Sequence, residues 1–279
     1  MPTLSYRIVN VFTRNRERLS GNPLCVFEDG TGVDDATMQA LALQFNLSET
    51  TFILPSARAN ARVRIFTPTY EMPFAGHPTL GTAFVCRELG LGGDELRLEM
   101  SAGIIPVKAR SNHWTLQANP PTWRAAPVEP LAAMLGLEPS DIGDKPLWVK
   151  SGKEQLIVPL RNEDAVRRVS PEVRLMSQVK SDEGHSMVYV FSETAPGRLL
   201  SRFFFPKGSA ILEDPATGSA TANLGGWLIA NERPLPLRYE ISQGEYTGRP
   251  SSLYVDVTAE GLILVGGDVV ELGRGTLTL

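Results

Sequence analysis

Short alternating stretches of apolar and polar residues dominate the hydrophobic pattern, and two longer apolar runs interrupt them. The two runs, residues 78–89 and 220–230, each follow a Gly- and Pro-containing segment and predict apolar helices. A third helix is expected after Asp34, a suitable N-cap, since Met38, Leu41, Ala42 and Phe45 share one helical face. The other segments predict a short helix at 131–137 and strands at 6–12, 24–27, 50–54, 62–66, 96–100, 104–109, 114–118, 148–150, 155–159, 186–192, 201–206, 238–242, 253–257, 262–265 and 269–272.

The order of these elements is similar in the two halves of the chain. Each half has strands, then Pro with Gly or Ser, then one apolar helix, then further strands. A stretch with four prolines, residues 119–130, is the best candidate for a linker between them. The pattern predicts two duplicated lobes of an α+β class with a ligand cleft between them, and disfavours a doubly wound parallel sheet.

The segments before the two apolar helices carry the most informative residues. Residues 71–79 (EMPFAGHPT) and 212–220 (LEDPATGSA) each bring polar residues to a predicted helix N-terminus. Unpaired backbone N–H groups and the positive end of the helix dipole make such ends suitable anion sites. Two of them suggest a pocket that holds a small acidic molecule from two sides.

Five residues in these segments are candidates for that pocket. Gly218 allows a ligand to approach the backbone, and Ser219 offers a hydroxyl and an N–H group. Taken alone, Asp214 and Ser219 are more simply explained as helix caps. Gly76 and His77 stand at the other helix start, where a neutral hydrogen-bonding histidine and a packed loop histidine are equally reasonable.

Glu49 is the remaining candidate, at the entry to the apolar strand 50–54. On its position alone it is expected to be a solvated edge charge. If it faced the ligand instead, it would be suited to proton transfer.

Composition narrows the class of protein. With 42% apolar and 21% charged residues and a net charge of −4, the chain is globular and is not expected to bind nucleic acid. It has no membrane-length apolar run and no signal-peptide pattern, so we expect a cytoplasmic protein without a membrane partner.

Sequence motifs also disfavour several kinds of site. The three histidines are dispersed along the chain, which argues against a metal site. The chain also lacks a glycine-rich phosphate-binding motif, so the sequence does not indicate a nucleotide cofactor. Cys25 and Cys86 are expected to be free, buried core residues, although one disulfide between them is conceivable.

Taken in order, the motifs resemble the PhzF family of phenazine-biosynthesis isomerase-like proteins across essentially the whole chain. GHPT (76–79) and EDPATGS (213–219) are the specific ones. The supporting segments are NP (22–23), LSET (47–50), FTP (66–68), QG (243–244) and GRP (248–250).

The resemblance implies a fold similar to that of diaminopimelate epimerase. It consists of two pseudo-symmetric lobes, each a curved mixed sheet or barrel around a central helix, often in a homodimer. The first lobe would comprise residues 1–119 together with a returning final strand at 273–279, and the second residues 120–272.

The resemblance also assigns roles to the candidates. Glu49 matches a proton-shuttling glutamate, and Asp214 and His77 match other catalytic residues. Gly76, Gly218 and Ser219 match contacts to a small carboxylate-bearing substrate, with no cofactor.

Related epimerases use two thiols, one at each helix start. The corresponding positions here are taken to be Ala75 and Ala216, which cannot carry a proton. We therefore expect a cofactor-independent isomerase. The alternatives are an amino-acid epimerase or racemase that uses Glu49 and Asp214, and a non-catalytic binder of small acids.

Overall fold

The computed structural model describes residues 3–279, which form two units. Unit 1 contains the chain up to Gln117 together with Gly266–Leu279, and unit 2 is Ala118–Val265. The return to unit 1 begins earlier than residue 273, because one long strand, Ile263–Thr278, replaces the two short strands predicted at 262–265 and 269–272.

Within the described residues, unit 1 is an eight-stranded closed barrel. Pairing runs from β1 through β2, β3, β4, β6, β7 and β8 to β17, which pairs again with β1. The β2–β3 and β4–β6 pairs are parallel and the pairs described between the other strands are antiparallel, so the sheet is mixed. Its elements are β1 (Thr3–Val11), β2 (Asn22–Phe27), α1 (Asp35–Phe45), β3 (Glu49–Leu54), β4 (Ala61–Phe66), β5 (Glu71–Met72), α2 (Gly76–Glu88), β6 (Glu95–Met100), β7 (Gly103–Arg110), β8 (His113–Gln117) and β17 (Ile263–Thr278).

Unit 2 repeats this connectivity. Strands β9, β10, β11, β12, β13, β15 and β16 pair in that order, again with two parallel pairs, β11–β12 and β13–β15. Its elements are β9 (Thr122–Ala125), α3 (Glu129–Leu135), β10 (Leu147–Lys150), β11 (Glu154–Pro159), α4 (Glu163–Arg168), α5 (Val173–Met176), β12 (Val188–Ala195), β13 (Arg198–Lys207), β14 (Ala210–Asp214), α6 (Gly218–Ala230), β15 (Leu237–Gln243) and β16 (Ser251–Val257).

One apolar helix lies inside the sheet of each unit. Helix α2 contacts β1, β2, β3, β4, β6 and β8, and every residue from His77 to Cys86 is buried. Because these strands lie all around the wall of the barrel, a helix that contacts every one of them must occupy the barrel interior. Helix α6 contacts β9, β10, β11 and β16 and is buried over most of its length. The predicted α+β architecture of curved mixed sheets around central helices is confirmed.

Helix α1 covers the outer face of unit 1, as the sequence predicts. The Asp34 carboxylate accepts a hydrogen bond from the N–H of Thr37, and the helix ends at Asn46 in the left-handed region. Met38 packs with Phe52 of β3 in a core cluster outside the barrel. In unit 2 the corresponding outer cluster is covered by α3, α4 and α5, of which the sequence predicted only α3.

The predicted linker at 119–130 is wrong. Residues Thr122–Ala125 form β9, which pairs with β10, and α3 begins at Glu129 with Pro130 in its first turn. Proline is tolerated beside a strand and in the first turn of a helix, so a proline-rich stretch need not be a linker. Among residues 3–279 no helix combines the length and apolar character needed to cross a membrane.

Enclosure of α2 makes Gly81 sterically essential. A Cβ at this position would lie 2.6 Å from Leu24 Cδ2 and 2.9 Å from Val11 Cγ2. We expect Gly81→Val to lower the free energy of unfolding by about 1–3 kcal/mol through overpacking, measured by urea denaturation. Gly93→Ala is the control, because its Cβ would meet nothing within 4 Å. Equal stability of both variants with the wild type would contradict a tightly enclosed helix.

Candidate active site

Both central helices begin at a glycine and lack a capping side chain. Helix α2 begins at Gly76 and α6 at Gly218, each two residues before the predicted start. Their N-cap residues, Ala75 and Thr217, form no side-chain capping hydrogen bond. Backbone N–H groups at the positive end of each helix dipole are thus not satisfied by the usual cap. The predicted site glycines, and the residue after each, lie in first helical turns rather than in loops.

In unit 1, strand β3 places Glu49 against the start of α2. Side chains alternate along a strand, and Thr51, on the same face as Glu49, lies 2.8 Å from the Thr82 hydroxyl of α2. Glu49 is 17% exposed, and its Oε2 lies 3.0 Å from Nδ1 of His77, which is 6% exposed. Glu49 is therefore a partly buried carboxylate paired with a histidine, and not a solvated edge charge.

This contact indicates which nitrogen of the His77 ring carries the proton. A hydrogen bond from Nδ1 to an ionised Glu49 carboxylate requires the ring proton on Nδ1. In the neutral ring Nε2 is then an acceptor, and it is buried with no hydrogen-bond partner among the described residues. An unpaired buried ring nitrogen is costly and points to an interaction with a ligand.

In unit 2, Asp214 ends β14 and belongs to a network at the start of α6. The Thr217 hydroxyl donates to Asp214 Oδ2 across 2.5 Å and accepts a hydrogen bond from Gln243 Nε2 across 3.0 Å. Gln243 Nε2 also donates to the Asp214 carbonyl. Asp214 therefore accepts from the N-cap side chain of α6. Sequence reasoning assigned no role to Thr217 or Gln243, although both lie in the motifs that carry the family resemblance.

Gly244 holds the QG turn against the segment before α6. Its φ is +82°, and a Cβ would lie 2.3 Å from the Arg249 carbonyl and 2.5 Å from the Pro215 carbonyl. Only glycine fits such a position. Half-buried Arg249 follows in the GRP motif, and desolvation lowers its pKa.

Ser219, the second residue of α6, is exposed, and a chain of buried amides supports its hydroxyl. Gln155 Nε2 donates to Ser219 Oγ across 3.0 Å, and Asn223 Nδ2 donates to Gln155 Oε1 across 2.8 Å. Asn223 and Gln155 are 1% and 2% exposed. A polar residue inside an apolar strand or helix was the available sequence indication for both, but it carried no information on their partner.

An arginine–glutamate pair anchors the segment before each central helix. In unit 1, Arg64 of β4 binds both carboxylate oxygens of Glu71 at 2.8 and 2.6 Å. In unit 2, Arg202 of β13 binds both oxygens of Glu213 at 3.0 and 2.8 Å. Each guanidinium also lies over the phenylalanine two residues further along its strand. Glu213 in the EDPATGS motif therefore anchors the backbone before α6 through Arg202, whereas its neighbour Asp214 accepts a hydrogen bond from the Thr217 hydroxyl.

These duplicated pairs relate the two units residue by residue. If Glu71 corresponds to Glu213, then Met72 corresponds to Asp214, and the N-cap Ala75 corresponds to Thr217. Thr217, and not Ala216, is the N-cap of α6 and therefore the internal counterpart of Ala75. The assignment of Ala216 to the second thiol position of the related epimerases stays a prediction. The chemical conclusion is unchanged, since neither alanine nor threonine is a thiol.

The same comparison places a methionine at the counterpart of Glu49. In unit 1, Leu24 pairs with Glu49 and approaches α2 at Gly81, its sixth residue. In unit 2, Gln155 contacts Asn223, the sixth residue of α6. In unit 2 the first parallel pair of β11 and β12 is Leu156 with Val188, and extending this register by one residue places Met187 beside Gln155. Each unit thus contributes a carboxylate at a different position.

The six predicted residues form two groups, one in each unit. Glu49, Gly76 and His77 converge at the start of α2, and Asp214, Gly218 and Ser219 lie at the start of α6. In the part of the chain that the structure describes, no cluster of three or more His, Cys, Asp or Glu side chains is arranged to hold a metal ion.

Comparison with known proteins shows the family to which the chain belongs. The model of the PhzC–PhzF family, described as phenazine biosynthesis-like proteins, matches residues 9–272. The chain belongs to this family. An uncharacterised isomerase of Pasteurella multocida is 36% identical, covering 98% of this chain and 93% of that protein. The trans-2,3-dihydro-3-hydroxyanthranilate isomerase of Pseudomonas fluorescens is also 36% identical, covering 99% of both chains.

A solved structure supports the same family. The PhzF-family phenazine biosynthesis protein of Bacillus anthracis superposes with a TM-score of 0.86 at 25% identity, covering 100% of both chains. Membership of the PhzC–PhzF family and the named activities of its relatives identify the chain as an enzyme of the isomerase class.

Both cysteines are free and buried, and we expect them to be unreactive in the folded protein. Burial raises the pKa of Cys86 to about 12 and raises the pKa of Cys25 further. Only the thiolate is nucleophilic. Titration with a thiol reagent at pH 8 should therefore detect neither cysteine in the native protein and both in urea. Rapid labelling of either thiol without unfolding would contradict their burial.

Proposed function

We propose that this PhzF-family enzyme moves a proton within a small carboxylate-bearing substrate by general acid–base catalysis, without a cofactor. The observation that supports it most strongly is the pairing of Glu49 with His77 at the start of α2. A carboxylate that is largely shielded from water and oriented by an imidazole suits a positioned base.

The proposed reaction has two proton transfers. The Glu49 carboxylate removes a proton from an activated carbon, and the electron pair of the broken C–H bond enters the conjugated system of the substrate. The carboxylic acid of Glu49 then returns the proton to a different carbon of that system. Substrate and product have the same atoms and electrons, so no oxidant or reductant is required. His77 orients Glu49 through Nδ1, and its buried Nε2 accepts a hydrogen bond from the substrate.

The starts of α2 and α6 are proposed to hold the polar groups of the substrate. A Cβ at Gly76 would meet only the Leu116 side chain, at 4.0 Å, and Gly76 has no positive φ. Packing therefore does not require glycine there, whereas a ligand close to the backbone would. Gly218 and Ser219 begin α6 in the same way, and Asp214, oriented by Thr217, positions the substrate by hydrogen bonding.

An epimerase or racemase that uses Glu49 and Asp214 as its two bases is the second candidate. It is less well supported, because the internal counterpart of Glu49 is Met187 and that of Asp214 is Met72. The two carboxylates thus do not occupy the equivalent positions of a symmetric acid–base pair. Incubation of single-enantiomer amino acids in heavy water tests it, and deuterium at the α-carbon would favour it.

A non-catalytic binder of small acids is the third candidate. It predicts saturable binding of carboxylates without turnover of any substrate. The homodimer and the lack of nucleic-acid and membrane partners stay predictions.

We expect Glu49→Gln to lower kcat by about 10²–10⁴-fold, because the amide cannot exchange the proton. The first substrate to test is trans-2,3-dihydro-3-hydroxyanthranilate, on which a relative with 36% identity is named to act. Turnover is followed by mass spectrometry in heavy water. The same measurement after chelation and desalting of the enzyme tests whether turnover needs a bound metal or cofactor. Glu95→Gln is the matched control, since its side chain is 75% exposed. Wild-type turnover by Glu49→Gln would remove Glu49 as the base.

We also propose that the two residue groups act on the same substrate. His77→Asn and Ser219→Ala should then each weaken binding of that substrate, measured as KM or as a dissociation constant. The loss of one hydrogen bond to a charged group corresponds to about tenfold or more. If either variant binds the substrate as the wild type does, its group does not contact the substrate.

A further inference from the structure

The amide chain behind Ser219 has a defined hydrogen-bond direction. The Ser151 N–H donates to Asn223 Oδ1 across 2.7 Å. Asn223 Nδ2 donates to the Lys153 carbonyl across 2.9 Å and to Gln155 Oε1 across 2.8 Å. A flipped Asn223 amide would place its NH₂ group against the Ser151 N–H and its oxygen against the Lys153 carbonyl. The backbone therefore sets the Asn223 orientation.

That orientation passes to Gln155 and then to Ser219. Gln155 Oε1 is occupied as an acceptor from Asn223, so its NH₂ group must face Ser219 Oγ, 3.0 Å away. Ser219 Oγ then uses a lone pair to accept this hydrogen bond. Its own hydrogen is left to point elsewhere, and the residue is exposed at the start of α6.

We propose that Gln155 and Asn223 are positioning residues that hold the Ser219 hydroxyl as a hydrogen-bond donor to the substrate carboxylate. The inference rests on the proposed function, in which Ser219 contacts that carboxylate. An ionised carboxylate only accepts hydrogen bonds, so a hydroxyl held as a donor complements it. We call the hydrogen-bonded series Asn223, Gln155 and Ser219 the relay. The relay would favour binding of a carboxylate over binding of a neutral group that must itself donate a hydrogen bond.

The other unit supports a functional reason for these buried amides. The positions that correspond to Gln155 and Asn223 in unit 1 are Leu24 and Gly81, which pack against each other without polar atoms. The fold therefore does not require amides at this contact. Asparagine is also a poor helix former, and burying two amides is costly unless all their groups are paired.

Binding of two matched probes can test the relay. The first is 3-hydroxyanthranilate, an aromatic analogue of the substrate named for the relative, and the second is 2-aminophenol, the same ring without the carboxylate. Calorimetry gives the dissociation constant of each for every variant, and the ratio reports the contribution of the carboxylate. We expect the wild type to prefer 3-hydroxyanthranilate and Ser219→Ala to bind it about tenfold more weakly.

Two variants perturb the relay without altering Ser219. Gln155→Met removes the donor to Ser219 Oγ. In Asn223→Asp, the carboxylate cannot donate to Gln155 Oε1, so the Gln155 amide turns and its oxygen accepts the Ser219 hydrogen. Both should weaken 3-hydroxyanthranilate binding, by no more than Ser219→Ala does, and leave 2-aminophenol binding unchanged. Asn231→Asp, at the far end of α6, is the control for the added charge.

Combination with Ser219→Ala separates the relay from a general structural effect. If the relay acts through Ser219, neither relay variant should weaken carboxylate binding further in the Ser219→Ala background. An equal loss in both backgrounds, or wild-type binding by Gln155→Met and Asn223→Asp, would overturn the relay while the proposed function stands. Wild-type carboxylate binding by Ser219→Ala, or no carboxylate preference in the wild type, would overturn the relay together with the proposed role of Ser219.

Discussion

The enclosure of one apolar helix by a curved sheet is the constraint on which each unit depends. Strands can approach the helix only where its side chains are small, as Gly81 shows in unit 1 and Gly225 and Gly226 show in unit 2. The helix cannot shift along its axis without clashing with these strands. The position of its first turn relative to the surrounding strands is therefore set by packing.

That rigid first turn is where the candidate chemistry lies. A helix start inside a sheet exposes N–H groups beside the side chains at the ends of neighbouring strands. Glu49 contacts His77 because it is the first residue of β3 and lies on the face of that strand that packs on α2. Gln155 of β11 contacts Ser219 at the start of α6. The arginine–glutamate pairs hold the segments that precede both helices, so the backbone before each first turn is anchored as well.

The two units carry different side chains at corresponding positions of this duplicated arrangement. The scaffold residues are repeated, whereas the side chains at the helix starts differ: Glu49 and His77 in one unit correspond to Met187 and Ser219 in the other. A carboxylate with an imidazole suits proton transfer, and a hydroxyl held as a donor suits anion recognition. The division of chemistry between equivalent positions is consistent with an isomerase that has one principal base.

The amino-acid sequence by itself determined the fold class, most elements and the six candidate residues. Periodicity reports burial along one element, and the Gly-His and Gly-Ser motifs mark the helix starts. Local patterns predicted a linker where β9 forms and indicated no role for Gln155, Asn223 or Gln243. Strand register and the approach of strands to an enclosed helix involve residues far apart in the chain. Only the tertiary structure decided which side chains meet, because hydrogen-bond partners depend on distances that no local pattern encodes.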